Sequence, residues 1–376
     1  MAAGGYPPAV VLKTLSAKVL GTAAGVVDRA FVSALEIRNK RERARAVAVP
    51  HAERVRLLGE IARAYGRPEH FEQREAFFPT PPAISPRRRL VRALEGRHHA
   101  DGGVFDLTWP SRYTPWGSGV RDRYLARTRN QTAHARVYLA GPPRPAILLI
   151  HGYMGGHWAL GELEWPISWF FRRGLDVVIP LLPFHALRGE GGAPPWPGSD
   201  PRITNEGFRQ AIHDLRGLMA WMVARGAPLV GAMGMSLGGY TTALLATIEE
   251  GLGFAAPMIP LASIADFAKE QGRLGDREDA AEQHAALERA NWVVSPLARP
   301  CLVPAGRVVV IAADRDRVTP RAHAERIGAH FGAPIVTIPG GHLLQIGRGG
   351  GFRAVAAMLE REGIIAPRAR RRSPPA

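Results

Sequence analysis

The chain of 376 residues contains one cysteine, Cys301. A single thiol excludes an internal disulfide and any CxxC metal or redox motif, and it fits a reducing, cytoplasmic address. Lysine is almost as scarce: it occurs only at Lys13, Lys18, Lys40 and Lys269, so the formal charge of +16 rests on arginine. Uninterrupted apolar runs of the ~20 residues that a membrane-spanning helix requires are missing, and a soluble chain is expected. His157, His185 and His213 are scattered, without an HExxH or comparable spacing, so neither a metal nor another cofactor is expected. No internal repeat is visible.

What the chain does have is a hydrophobic content of 46%, enough to bury a sizeable core in one large or two ordinary domains. Its arginines cluster at 38–45 (RNKRERAR), 86–92 (PRRRLVR) and 368–372 (RARRR). Such clusters are either a solvated basic surface or a means of attraction to an anionic one. For nucleic acid there is charge but no recognition motif, and no specific nucleic-acid partner is expected. Near the N-terminus, Leu12, Leu15, Val19, Val26 and Ala30 fall at helical spacing, interrupted by Lys13, Lys18, Asp28 and Arg29. This pattern is that of a helix packed on the protein body, or of an interfacial helix whose basic continuation meets anionic headgroups at a peripheral membrane site.

From residue 104 onward, short apolar runs alternate with amphipathic stretches, as in parallel strands joined by helices. The runs at 104–109, 134–139, 146–150, 175–182, 229–233, 255–261, 308–312 and 335–338 predict about eight strands. Helices are predicted near 160–173, 204–224, 237–250, 320–331 and 351–362. Residues 1–103 read as a helical N-terminal extension, 104–365 as the α/β domain and 366–376 as a basic flexible tail. Within the domain, 262–300 reads as a cap or lid insertion, because long insertions in compact α/β domains tend to be functional.

The segment GAMGMSLGGY at 231–240 sets Ser236 between Gly234 and Gly238, after an apolar run and before a helix-forming one. A tight strand-to-helix turn of this kind needs residues without side chains near the serine and raises its hydroxyl for attack. A serine hydroxyl is a weak nucleophile near neutral pH and needs a base, which in turn needs an orienting acid. Both are available downstream: Asp314 and Asp316 follow the run at 308–312, and His342 follows the last predicted strand in GGHL. Residues at successive strand ends can converge on the carboxyl edge of a parallel sheet. The oxyanion formed on attack needs backbone N–H donors, and Leu237, after the serine, and Tyr153, in the HGYMGG loop after 146–150, are the candidates, with Met154 next.

The HGY loop, the GMSLGG elbow, the DRDRVTP segment and the GGH loop, in this order, resemble the α/β-hydrolase superfamily over residues 104–362. The resemblance implies a mostly parallel sheet flanked by helices and a Ser236–His342–Asp316 triad, with Tyr153 and Leu237 N–H groups as the oxyanion hole. Asp316 is preferred over Asp314 because the superfamily acid stands four residues before a helix-starting proline, here Pro320; Asp314 is then expected to pair with an arginine. The elbow, the long N-terminal region and the end GGHLLQIGRGGGFRAV are similar to α/β-hydrolase-domain proteins linked with phospholipid, including cardiolipin, deacylation. The expected activity is that of a serine esterase, lipase-like, cleaving carboxylic esters of apolar or lipid acyl groups through an acyl-enzyme. Peptidase, thioesterase or acyltransferase chemistry would use the same parts, and a non-catalytic membrane-binding protein on this scaffold is the contrasting class. Trp158, Trp165, Trp169, Phe170 and Phe171 read as helix–sheet core, whereas Trp196 reads as a pocket wall.

Overall fold

A computed structural model of the chain describes residues 49–93, 102–275, 277–343, 345 and 347–367. The expected N-terminal helix, the arginine cluster at 38–45 and that at 368–372 lie outside the described residues.

Nine strands form one sheet in the order β1-β2-β3-β5-β4-β6-β7-β8-β9. They are β1 Arg87–Arg92, β2 Gly103–Pro110, β3 Thr132–Leu139, β4 Ala146–Ile150, β5 Asp176–Pro180, β6 Val230–Met235, β7 Leu252–Met258, β8 Val310–Ala313 and β9 Ile335–Ile338. The pairs β1–β2, β2–β3 and β3–β5 are antiparallel, and every pair from β5 through β4 to β9 is parallel. The continuous apolar runs of β4 and β6 are buried along their whole length, as strands covered on both faces must be. This is the α/β-hydrolase fold.

The longer helices are α1 His51–Tyr65, α2 Trp158–Glu164, α3 Ile167–Arg172, α4 Pro201–Ala224, α5 Leu237–Ala246, α6 Ile264–Glu270, α7 Arg277–Asn291, α8 Arg321–Phe331 and α9 Arg348–Arg361. Two apolar layers sandwich the sheet. One joins α4 and α5 to the sheet through Phe208, Leu215, Leu244 and Leu148; the other joins α3 and α9 through Phe170, Phe352, Val355 and Ile147. Trp165 and Phe170 belong to that second layer, with Trp158, Trp169 and Phe171 packed against it, as the helical spacing implied. Among the described residues no helix is long and apolar enough to cross a membrane.

One part of the N-terminal region differs from expectation. Residues 87–92, read within a helical extension, form β1, a sheet edge paired to β2. Its arginines are held by the neighbouring strands: Arg89 bonds Asp106 at 2.6 Å, Arg88 lies over Phe105 and Arg92 over Tyr138. A strand exposed on both faces has no apolar alternation to read, and charged edge residues deter pairing with other chains. The insertion at 262–300 contains α6 and α7, and α7 packs on α1 through Leu58, Ala286 and Ala290.

A buried carboxylate also ties the N-terminal region to helix α4. Glu206 of α4 is fully buried and accepts from Tyr65 Oη at 2.7 Å, Gly117 N at 2.8 Å, Trp116 N at 3.0 Å and the Tyr113 hydroxyl. Burial and the adjacent Glu206 charge hold both tyrosines above their ordinary range, so they remain protonated donors. Without the carboxylate the two buried tyrosine hydroxyls and the two part-buried backbone N–H groups would lose their acceptor. Glu206→Leu is therefore expected to cost about 3–5 kcal/mol of unfolding free energy, measured by denaturant titration; a loss below about 1 kcal/mol would show that the four bonds are not a structural hub.

Candidate active site

The turn from β6 into α5 is as tight as its glycines suggested. Ser236 has φ 57° and ψ −113°, a conformation rarely adopted by residues other than glycine. Its N–H donates to the Met258 carbonyl at 3.0 Å and its carbonyl accepts from Tyr240 N at 2.9 Å, so both sides of the strained residue are held. The flanking glycines have steric reasons to be there. A Cβ on Gly234 would lie 2.1 Å from the Gly238 carbonyl oxygen, and one on Gly238 would lie 2.0 Å from that of Ile150.

Three of the five positions singled out in the sequence form one hydrogen-bonded chain. His342 Nε2 lies 2.8 Å from Ser236 Oγ, and His342 Nδ1 lies 2.8 Å from Asp316 Oδ2. Asp316 follows β8 and His342 follows β9, which brings both to the carboxyl edge of the sheet beside Ser236. Asp316 and His342 are buried, while Ser236 is half-buried. Asp316 Oδ1 accepts from Val318 N and Thr319 N, both at 2.8 Å, which fixes the carboxylate just ahead of the helix that Pro320 caps. Gln345 donates to the His342 carbonyl at 2.8 Å and steadies the loop.

Asp314 does not play the part expected of it. It is exposed, and its carboxylate accepts from Gly340 N at 3.0 Å, so the partner found is the backbone of the His342 loop instead of an arginine. Trp196 is likewise not a pocket wall. It is fully buried, stacked edgewise on Phe208 at 4.8 Å, and its indole N–H donates to the Thr204 carbonyl at 3.0 Å. The side-chain-free Gly207 on α4 is what admits the indole: a Cβ there would lie 2.1 Å from its ring.

The other two positions lie next to the serine. Leu237 opens α5, where the first N–H groups have no partner within the helix. Tyr153 follows Gly152, whose added Cβ would be 3.5 Å from Ser236 Cβ, so the HGY loop abuts the Ser236 turn. The loop is wrapped on His151: a Cβ on Gly155 or Gly156 would meet the His151 side chain at 3.0 or 2.9 Å. His151 Nε2 accepts from Leu182 N at 3.1 Å, so the proton sits on Nδ1 and is donated to the Gly152 carbonyl at 2.8 Å. Tyr153 is held in turn through its hydroxyl, which donates to the Pro194 carbonyl at 3.0 Å, and its ring lies edgewise on His185 at 5.7 Å. The supporting His185, like the Thr319 hydroxyl beside His342 and Asp316, has no sequence signature that separates it from an ordinary loop residue.

Burial pushes His151 down to about 4 and His185 down to about 3, so both are neutral in the folded protein. An unfolded histidine titrates near 6.5, so the unfolded chain binds more protons below that pH and stability falls with acidity. From pH 7.5 to pH 5 each is expected to withdraw about 2 kcal/mol of unfolding free energy. Denaturant titrations at the two pH values check this, and equal stability at both would contradict the burial of neutral imidazoles beneath the HGY loop.

No family model matches the chain. It is 32% identical over 317 residues to the uncharacterized protein Rv2627c of Mycobacterium tuberculosis strain H37Rv, an alignment covering 82% of this chain and 75% of the relative. Among solved structures it is similar in fold to acetyl xylan esterase 1 from Thermoanaerobacterium sp., at TM-score 0.50 and 18% identity over 80% of this chain and 97% of the other. An acetyl xylan esterase from Paenibacillus sp. R4 superposes at TM-score 0.52 and 15% identity, over 77% of this chain and 95% of the other. At those identities the likeness speaks for the shared architecture, whereas the mycobacterial alignment speaks for descent: the chain belongs to the family of Rv2627c, on an α/β-hydrolase fold.

Proposed function

We propose that the protein is a serine hydrolase that cleaves carboxylic esters through an acyl-enzyme. One observation carries this reading: the 2.8 Å approaches of His342 Nε2 to Ser236 Oγ and of His342 Nδ1 to Asp316 Oδ2, on a serine held at φ 57°. A hydroxyl within hydrogen-bond reach of an imidazole that is itself held by a carboxylate is the arrangement that activates serine.

Ser236 Oγ attacks the acyl carbon while His342 Nε2 takes its proton. Asp316 stabilises the resulting imidazolium from the Nδ1 side. The developing oxyanion is received by the N–H groups of Tyr153 and Leu237, and collapse of the tetrahedral intermediate expels the alcohol, protonated by His342. Water, deprotonated by the same imidazole, then attacks the acyl-enzyme and regenerates Ser236. The esterase names of the two structural relatives agree with this chemistry at the level of reaction type.

For the substrate we propose an ester with an apolar or lipid acyl group. Met154, in the HGY loop, and Leu343, next to His342, remain 37% and 43% exposed, so each of these two loops carries an exposed apolar side chain. Phospholipid deacylation at an anionic membrane is the narrower form of this proposal, supported by the arginine-rich clusters of the sequence and by the similarity of the GGHLLQIGRGGGFRAV end to phospholipid-linked relatives.

A series of p-nitrophenyl esters from acetate to palmitate, assayed beside anionic phospholipid vesicles, tests both levels. The expected result is hydrolysis that rises with acyl length and a loss of at least about 10³-fold in kcat/KM for Ser236→Ala. Hydrolysis restricted to acetate and butyrate, with phospholipid untouched, would remove the lipid reading and leave the esterase. Equal turnover by Ser236→Ala would remove the esterase itself.

A further inference from the structure

The triad has a neighbour that the reaction scheme leaves unused. Thr319 Oγ1 is buried and lies 3.1 Å from His342 Nδ1, 3.0 Å from Asp316 Oδ2 and 3.0 Å from the Ile259 carbonyl. One hydroxyl proton faces two oxygens that can only accept, so its direction decides what the hydroxyl does to the imidazole. If the proton goes to Asp316, it weakens the carboxylate that supports His342. If it goes to Ile259, a lone pair is left to face the Nδ1–H.

Ile259 is built for the second arrangement. It has φ 41°, an outlying conformation for a β-branched residue, which persists only when its surroundings enforce it. Its N–H donates to the Ile311 carbonyl at 2.6 Å, and its carbonyl meets Thr319. The carbonyl one residue earlier, of Met258, accepts the Ser236 N–H at 3.0 Å. Two consecutive carbonyls at the end of β7 thus hold, respectively, the nucleophile's backbone and the hydroxyl that touches both the base and the acid.

We propose that Thr319 is a positioning residue: its hydroxyl donates to the Ile259 carbonyl and offers a lone pair to the His342 Nδ1–H, as a second acceptor beside Asp316. An imidazolium bonded to two oxygens at Nδ1 is stabilised over one bonded to a single oxygen, and its ring is prevented from rotating away from Ser236. The proposal rests on the serine-hydrolase reading for its catalytic consequence, but its geometric content can be measured without turnover.

The test uses the full chain with Thr319→Val, which keeps the shape and the main-chain N–H bond to Asp316 but removes the hydroxyl, and Thr319→Ser, which restores it. The His342 titration is followed by NMR of the imidazole, alongside kcat and KM for p-nitrophenyl butyrate. We expect Thr319→Val to lower the His342 pKa by about one unit, a tenfold change in the protonation equilibrium. We also expect kcat to fall about tenfold with KM changed less than twofold, and Thr319→Ser to stay near wild type in both. An unchanged or raised His342 pKa in Thr319→Val would overturn the proposal, the rise being the mark of a hydroxyl that donates to Asp316. Should Thr319→Val not melt cooperatively, Thr319→Ala carries the same expectation. Wild-type protein inert toward the ester would count against the hydrolase reading alone, because the imidazole titration would still decide the role of Thr319.

Discussion

The constraint on which the site depends is the steric closeness of three backbone segments at the end of β6. Ser236 is forced to positive φ because α5 starts at the next residue, and that start lies against the carbonyls closing β4. Neither Gly234 nor Gly238 has room for a Cβ, since each would bring one within about 2 Å of a backbone oxygen. Such strain costs of order 1–3 kcal/mol and survives only where packing on all sides enforces it. Here the enforcement comes from β4, β6 and β7, each buried along most or all of its length. The same parallel strands that make the core thus hold the serine in place.

Around that turn the sheet edge works as a common reference. β4 ends in the HGY loop, β6 in Ser236, β7 in the Met258 and Ile259 carbonyls, β8 in the segment bearing Asp316 and β9 in the loop bearing His342. Parallel neighbours end at one edge, so side chains far apart in sequence arrive within hydrogen-bond distance without long reaching loops. The loops are then stiffened from outside. His151 ties the HGY loop to Leu182, Tyr153 ties it to Pro194, and Asp314 ties the His342 loop to the end of β8.

Much of this was legible in the sequence, for identifiable reasons. Strands buried on both faces appear as unbroken apolar runs, which made β4 and β6 readable, and helix–sheet packing gave Trp165 and Phe170 their spacing. The glycines around Ser236 were legible because a turn this tight tolerates nothing else. β1 was not, because an edge strand exposed on both faces and made of arginines has no alternation to detect. Trp196 reads as a pocket wall because it lies in a Pro-rich loop of the kind that surrounds the serine at the sheet's carboxyl edge, and the notch at Gly207 that buries the indole lies in another element. Asp314, Glu206 and Thr319 take their roles from partners 26, 141 and 60 residues away, such as Gly340, Tyr65 and Ile259, and no local pattern announces such pairings.

The proposed chemistry requires that Ser236 be an activated nucleophile. Exposing the full chain to a fluorophosphonate at neutral pH and locating the adduct by peptide mass analysis tests it without any knowledge of the natural substrate. A single stoichiometric adduct on Ser236 that is lost in His342→Ala is the expected result. Intact protein recovered without an adduct, or modification elsewhere with Ser236 untouched, would contradict it.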